Sequence, residues 1–242
     1  MELNICHLYP DLLNVYGDVG NILILKHRAE QRGIKVNIIN TSLNDEFDSE
    51  NTDILFFGGG QDFEQSIVSN DLKTIKKPSL QKYIEDEKVV IAICGGYQLL
   101  GKYYMAPNGE KIEGLGILDI YTEGGDTRFI GNTVIYNEDF NETYVGFENH
   151  SGRTYTNGLK PLGKCVHGYG NNGDDGNEGC IYKNTFCSYF HGSLLSKNPE
   201  LADRFLNIAL SKKYDNINLE KIDDSLELKA KEVMIKRLEN KK

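Results

Sequence analysis

Two stretches of almost unbroken apolar residues, each stopped by small residues, set the frame of this chain. "DILFFGGG" (53–60) and "KVVIAIC" (88–94) are too short for buried helices and carry no polar alternation, so they predict strands covered on both faces. "LNICHL" (3–8) predicts a further short strand, and "IKVNIIN" (34–40) alternates like a strand with one exposed face. Between them the period changes. "GDVGNILILKHRAEQRG" predicts a helix with Asp18 or Asn21 near its start and Gly33 at its end, and residues 62–84 predict a helix interrupted near Pro78. "GGYQLLGKYY" opens another helix directly after Cys94. Apolar strands alternating with helices are the pattern of a doubly wound, mostly parallel sheet.

After about residue 110 the texture changes. "GNTVIYN", "TYVGFENH", "KCVHGYG" and "CIYKNTFCSYF" are short alternating runs parted by Gly, Asn and Asp, which predicts a strand-rich, antiparallel second half with a turn at Lys183-Asn184. "GYGNNGDDGNEG" (168–179) lacks the spacing of a calcium loop and reads as a solvated hairpin loop. Helix returns over 196–211. We expect one α/β domain over 1–212 and a charged helical extension over 213–242, with Leu226, Ala230, Val233 and Leu238 near one face that docks on this domain or on another chain.

Composition narrows the classes. The net charge is −9, and no Lys/Arg-rich block interleaves with aromatics, so a nucleic-acid footprint is missing. No apolar run approaches the ~18 residues of a membrane span. Five cysteines without CxxC spacing predict reduced thiols in a cytoplasmic protein and no structural metal site.

One of those cysteines is placed for chemistry. A buried strand delivers Cys94 to the sheet's carboxyl edge, Gly95 and Gly96 follow, and a helix begins. Small residues there permit the sharp turn that presents a nucleophile. A base is then needed. Of His7, His27, His150, His167 and His191, the last closes an alternating strand and precedes Gly192, so it ends where α/β sites assemble; His150 is the second candidate. The glycines of "FFGGG", with Gly95, offer backbone N–H groups for an oxyanion.

"FFGGGQD", "AICGGYQLLG", "GFENHSGRT" and "YFHGSLL", in this order, resemble the class I glutamine amidotransferase domains of the cobyric-acid-synthase type over essentially the whole chain. The resemblance implies a flavodoxin-like sheet flanked by helices, with Cys94 as nucleophile, His191 as general base and acid, and Gly60 and Gly95 as the oxyanion pair. It further implies that Gln98 and Arg128 bind L-glutamine, although Arg128 alone reads equally well as a solvated surface residue. Most class I relatives carry Glu two residues after the histidine, whereas this chain has Ser193. A third catalytic member is then either dispensable or supplied from elsewhere, such as a carboxylate of a partner subunit. Tyr16 and Asp18 fit either the site or a partner surface. The resemblance implies a heterodimer with a MurT-like, Mur-ligase-family subunit that binds ATP and Mg and amidates the D-glutamate α-carboxyl of lipid II. The rival expectations are a non-catalytic scaffold subunit and a cysteine hydrolase of the DJ-1/PfpI-like kind.

Overall fold

The computed structural model describes residues 1–240. The first half runs β1 (Glu2–Leu8), α1 (Val19–Glu30), β2 (Lys35–Thr41), β3 (Ile54–Phe57), α2 (Asp62–Asp71), α3 (Lys77–Glu85), β4 (Val89–Ile93) and α4 (Gly95–Leu100). The second half holds β5 (Tyr103–Met105), β6 (Lys111–Glu113), β7 (Tyr121–Asn137), β8 (Glu142–Tyr155), β9 (Gly163–His167), β10 (Asn177–Glu178), β11 (Cys180–Tyr182), β12 (Thr185–Ser188), β13 (Phe190–His191), α5 (Pro199–Ser211) and α6 (Ser225–Glu239).

All residues of β3 and β4 are buried, as their unbroken apolar sequences require. They lie in a six-stranded sheet of order β11-β12-β4-β3-β1-β2. β2, β1, β3, β4 and β12 are parallel, and β11 is antiparallel at one edge. The chain leaves β1 toward β2 and then returns to β1's other side as β3. Loops diverge there, and a crevice opens at the carboxyl ends of β1 and β3. The segments after β1, β3 and β4 all emerge at this edge.

The second sheet is built on the long β7–β8 hairpin, with β9, β10, β5 and β6 beyond β7 and β13 beside β8. The antiparallel expectation for this half therefore holds for most strands but not for β12. The β11–β12 hairpin does turn at Lys183-Asn184, with Lys183 at φ 53°. β12, buried throughout, then runs parallel to β4, Ser188 opposite Ile93. An apolar four-residue strand is indistinguishable by pattern from the sheet's other central strands, and only its neighbour decides its direction.

The helix over 62–84 is interrupted just before Pro78 by a wide π turn, Leu72–Lys76. Lys76, fully buried, pairs there with Asp71, whose carboxylate also accepts from the Tyr9 hydroxyl at 2.5 Å. α6 docks on the same chain through Leu238, as expected, but the rest of its inward face differs from the one expected. Leu238, Met234 and Ile235 meet Val134 and Val145 of the second sheet, while Leu226 and Val233 stay exposed. The start of this helix is fixed by Arg28, whose guanidinium binds Asp224 at 2.5 Å and Asp203 at 2.7 Å, and this rotates the 231/234/235/238 face inward. No helix among the described residues is long and apolar enough to cross a membrane.

Candidate active site

Cys94 sits on the turn between β4 and α4 at φ 49°, ψ −103°, a conformation that costs a side-chain-bearing residue about 1–3 kcal/mol. Neighbours hold it there. Cys94 N–H donates to the Ser188 carbonyl at 2.9 Å, and Gly96 N–H to the Gly58 carbonyl at 3.1 Å. A Cβ on Gly96 would lie 2.4 Å from the Phe57 carbonyl oxygen, so the two strands close only around glycine. The thiol opens into a cleft of about 610 Å³.

β12 lies beside β4, and the chain then crosses to pair His191 with Phe147 of β8. The imidazole thereby reaches the edge where Cys94 stands. Its Nδ1–H donates to Asp18, at 3.1 Å from Oδ1 and 3.2 Å from Oδ2, and the His191 and Asp18 side chains are both fully buried. A carboxylate at Nδ1 fixes the proton on that nitrogen and leaves Nε2, buried and without a hydrogen-bond partner, as the free ring nitrogen. Burial pulls the imidazole's pKa down, but the Cys94 thiolate and Asp18 outweigh it and push it up to about 10. The imidazole is thus biased toward its protonated form.

Asp18 is at the helix start that the sequence predicts, and of the two settings it fitted it takes the one beside His191. It stands at the start of α1 yet caps nothing with its side chain; the first-turn Val19 N–H is taken by Asn14 Oδ1 at 3.0 Å instead. Its second task is Gly59, whose N–H donates to Oδ2 at 3.1 Å. The carboxylate beside the histidine therefore comes from this same chain. The residue was visible in sequence as an acid in "YGDVG", but a helix-start acid has an ordinary local explanation, and only the missing Glu after His191 signalled that one was needed elsewhere.

Gly59 and Gly96 have their N–H groups committed, whereas those of Gly60 and Gly95 have no protein acceptor among the described residues. The two glycines are adjacent: a Cβ on Gly95 would stand 3.0 Å from Gly60 N. Gln65, which pattern reading did not single out, donates from Nε2 to the Gly60 carbonyl at 3.2 Å and so orients that peptide. Gln98 is buried in the cleft wall; Nε2 donates to the Tyr189 hydroxyl at 3.0 Å and Oε1 is without a partner. Arg128 is exposed at the rim, where Nε and Nη2 both bind Asn149, to Oδ1 and the carbonyl, at 3.0 Å. Asn149 Nδ2 in turn donates to the Tyr16 hydroxyl at 2.8 Å, and the Tyr16 ring packs edge-on against His191, centroids 4.9 Å apart. Tyr16, left open between site and surface, belongs to the cleft lining.

Two of the other histidines, His150 and His7, are occupied elsewhere. His150 lies flat on Tyr189 at 3.6 Å, its Nδ1 binds the Gly152 carbonyl at 2.8 Å, and burial lowers its pKa. It forms cleft wall, with its ring and Nδ1 engaged by packing and backbone. His7 packs edge-on against Phe56, and burial brings it down to about 4. The loop after β9 is the hairpin connection expected, β9 pairing antiparallel with β10, and it is exposed over 173–176, but it is not solvated throughout. Asn171 and Asn172 are buried, and Asn171 brackets Gly179 with hydrogen bonds of 2.9 Å to its N–H and carbonyl. Beside it the buried Glu178, raised to about 7 by burial against its hydrogen bonds, accepts from Ser188 Oγ at 2.5 Å and Tyr189 N–H at 3.0 Å and so braces the segment leading to His191. Among the described residues no group of three or more His, Cys, Asp or Glu side chains is placed to hold a metal ion.

A family model described as a CobB/CobQ-like glutamine amidotransferase domain matches residues 4–199. The chain is 54% identical to the lipid II isoglutaminyl synthase (glutamine-hydrolyzing) subunit GatD of Streptococcus pneumoniae (strain ATCC BAA-255 / R6), over 93% of this chain and 87% of that protein. It is 45% identical to the subunit of the same name from Staphylococcus aureus (strain N315), over 100% of this chain and 98% of that one. Among solved structures, that of PurLQS from Thermotoga maritima superposes with a TM-score of 0.57 at 15% identity, covering 88% of this chain and 100% of that chain, which supports the fold.

Proposed function

The chain belongs to the CobB/CobQ-like glutamine amidotransferases, and from that premise we propose that it is the glutamine-hydrolysing subunit of a lipid II isoglutaminyl synthase. The observation that carries the chemical half of this reading is the buried Asp18–His191 pair beside Cys94, whose thiol opens into the cleft.

The cycle follows from that line. L-Glutamine enters with its α-carboxylate toward Arg128 and its head group along Gln98; a guanidinium fork suits a carboxylate. The Cys94 thiolate attacks the side-chain amide carbon, and the oxygen, now anionic, accepts from Gly60 and Gly95 N–H. Removing one donor of this kind typically costs about 10²–10³ in rate. His191 gives its Nε2 proton to the departing nitrogen as the C–N bond breaks, which releases ammonia and leaves a γ-glutamyl thioester. Water then loses a proton to His191 and attacks the thioester, and glutamate leaves as the thiolate is restored. Asp18 steadies the imidazolium in each step.

Ammonia serves amidation only where a second carboxylate is activated. We assign that step to a Mur-ligase-like, MurT-like partner carrying ATP and Mg, acting in the cytoplasm on the D-glutamate α-carboxyl of lipid II. The names of the two relatives support the acceptor; the site itself supports glutamine hydrolysis. The direct test is covalent. Diazo-oxo-norleucine is expected to label the chain once, at Cys94, with protection by excess glutamine and no label in Cys94→Ala, read by peptide mass spectrometry. A label elsewhere, or none, contradicts the reading.

A further inference from the structure

The pairing of β7 with β8 breaks where it passes the cleft: Gly124 faces Gly152 and Phe129 faces His150, so residues 125–128 stand opposite Ser151 alone. A bulge strips carbonyls of their ladder partners, and such groups need other donors. Arg153 supplies them from one planar fork. Nη1 donates to the Ser151 carbonyl at 2.9 Å and, more loosely, to that of Gly152 at 3.4 Å. Nη2 donates across the gap to the Thr127 carbonyl at 2.8 Å and to Thr127 Oγ1 at 3.2 Å. The guanidinium carbon lies 3.3 Å from the Phe129 ring centroid. Gly125 approaches so closely that a Cβ there would stand 2.9 Å from the same carbon. Every one of these acceptors is neutral, so the charge is spent on holding backbone rather than on an ion pair.

The residue next to Thr127 is Arg128. We propose that Arg153 is a positioning residue for substrate: by tying the bulge at Thr127 to β8 at Ser151, it holds Arg128 over the cleft to receive the carboxylate of glutamine. Asn149 orients the guanidinium of Arg128 from one side, and Arg153 fixes the backbone that carries it from the other. This inference rests on the glutaminase reading. A lysine cannot take the place, because an ammonium is a point donor and the two carbonyl groups lie on different strands.

Arg153→Lys and Arg153→Gln are each expected to raise the KM for glutamine by about tenfold while kcat stays within about threefold, the split that marks lost binding. Arg128→Ala is expected to raise KM as well, and Arg153→Lys added to it is expected to change KM no further, because its effect passes through Arg128. A brace with a purely structural role would lower thermal stability and kcat, leave KM alone and add to Arg128→Ala. An active parent chain with KM unchanged in both Arg153 variants overturns this inference alone. A parent chain without Cys94-dependent ammonia release overturns the glutaminase reading and this inference with it.

Discussion

Asp18→Asn is expected to lower kcat for glutamine hydrolysis by about 10²–10³, a smaller loss than the ~10⁴ of the corresponding change in a Ser-His-Asp enzyme, because a thiol ionises more readily than a hydroxyl. The carboxylate does two things at once. It accepts from His191 Nδ1 at 3.1 Å and from Gly59 N–H at 3.1 Å. An amide can satisfy one of these with its oxygen, but its NH2 then faces a donor. The pH profile separates this role from simple damage. In the parent chain burial lowers the His191 pKa, but Cys94 and Asp18 outweigh it and push it up to about 10. The competent form is the thiolate with a protonated imidazole, so activity is expected to fall on the alkaline side as His191 deprotonates. Removing the Asp18 charge lowers that pKa, and the alkaline fall is expected to move to lower pH. An Asp18→Asn variant with normal kcat and an unmoved alkaline limb would show that Asp18 is a bystander.

Gly59→Ala is expected to cost about 10² in kcat/KM, with the protein still folded. The added Cβ would stand 2.8 Å from His191 Cε1, 3.1 Å from Val15 Cγ2 and 3.3 Å from Asp18 Oδ2. None of these is a free end: the imidazole is buried and held by Asp18, and Asp18 is held by the glycine's own N–H. Relief comes from shifting the ring, and misplacement by about an ångström is enough to cost a reaction of this kind about 10². Gly33→Ala is the contrast, because Gly33 has open space around it although its φ is +69°. Its cost is expected in thermal stability, with the kinetics of the folded enzyme unchanged. Equal activity in Gly59→Ala and the parent would mean that the histidine does not need its present position.

How far the chain could be read in advance depended on whether a signal was local. Cys94 was legible because an apolar strand, two glycines and a helix start follow one another without a gap, and that sequence of constraints has few structural solutions. His191 was legible as a strand-end histidine, but its delivery by a strand inserted beside β4 was not, since nothing in "TFCS" states its neighbour. Asp18 was hidden by ambiguity: an acid at a helix start has a local use, and its true partner lies 173 residues away. The helix over 225–239 shows the same limit. Its apolar residues permit two inward faces, and the choice is made by Val134, Val145 and the Arg28–Asp224 pair, all distant in sequence. The Asn- and Gly-rich loop after β9 is the predicted hairpin loop with an exposed tip, but the burial of Asn171 and Asn172 was not legible, because buried asparagines that bind backbone leave the same composition as exposed ones. Arg128 was placed by resemblance, while the bulge that presents it, with Arg153 as its brace, became visible only in the register of β7 against β8.

The central claim is that a complete glutaminase site lies within this one chain. It is tested most directly by ammonia release from L-glutamine by the purified chain without any partner, with Cys94→Ala and His191→Ala as controls. The account predicts steady release of ammonia and glutamate in equal amounts by the parent chain, and background rates in both variants. Release that appears only when a synthetase subunit is added, or that persists without Cys94, would contradict it.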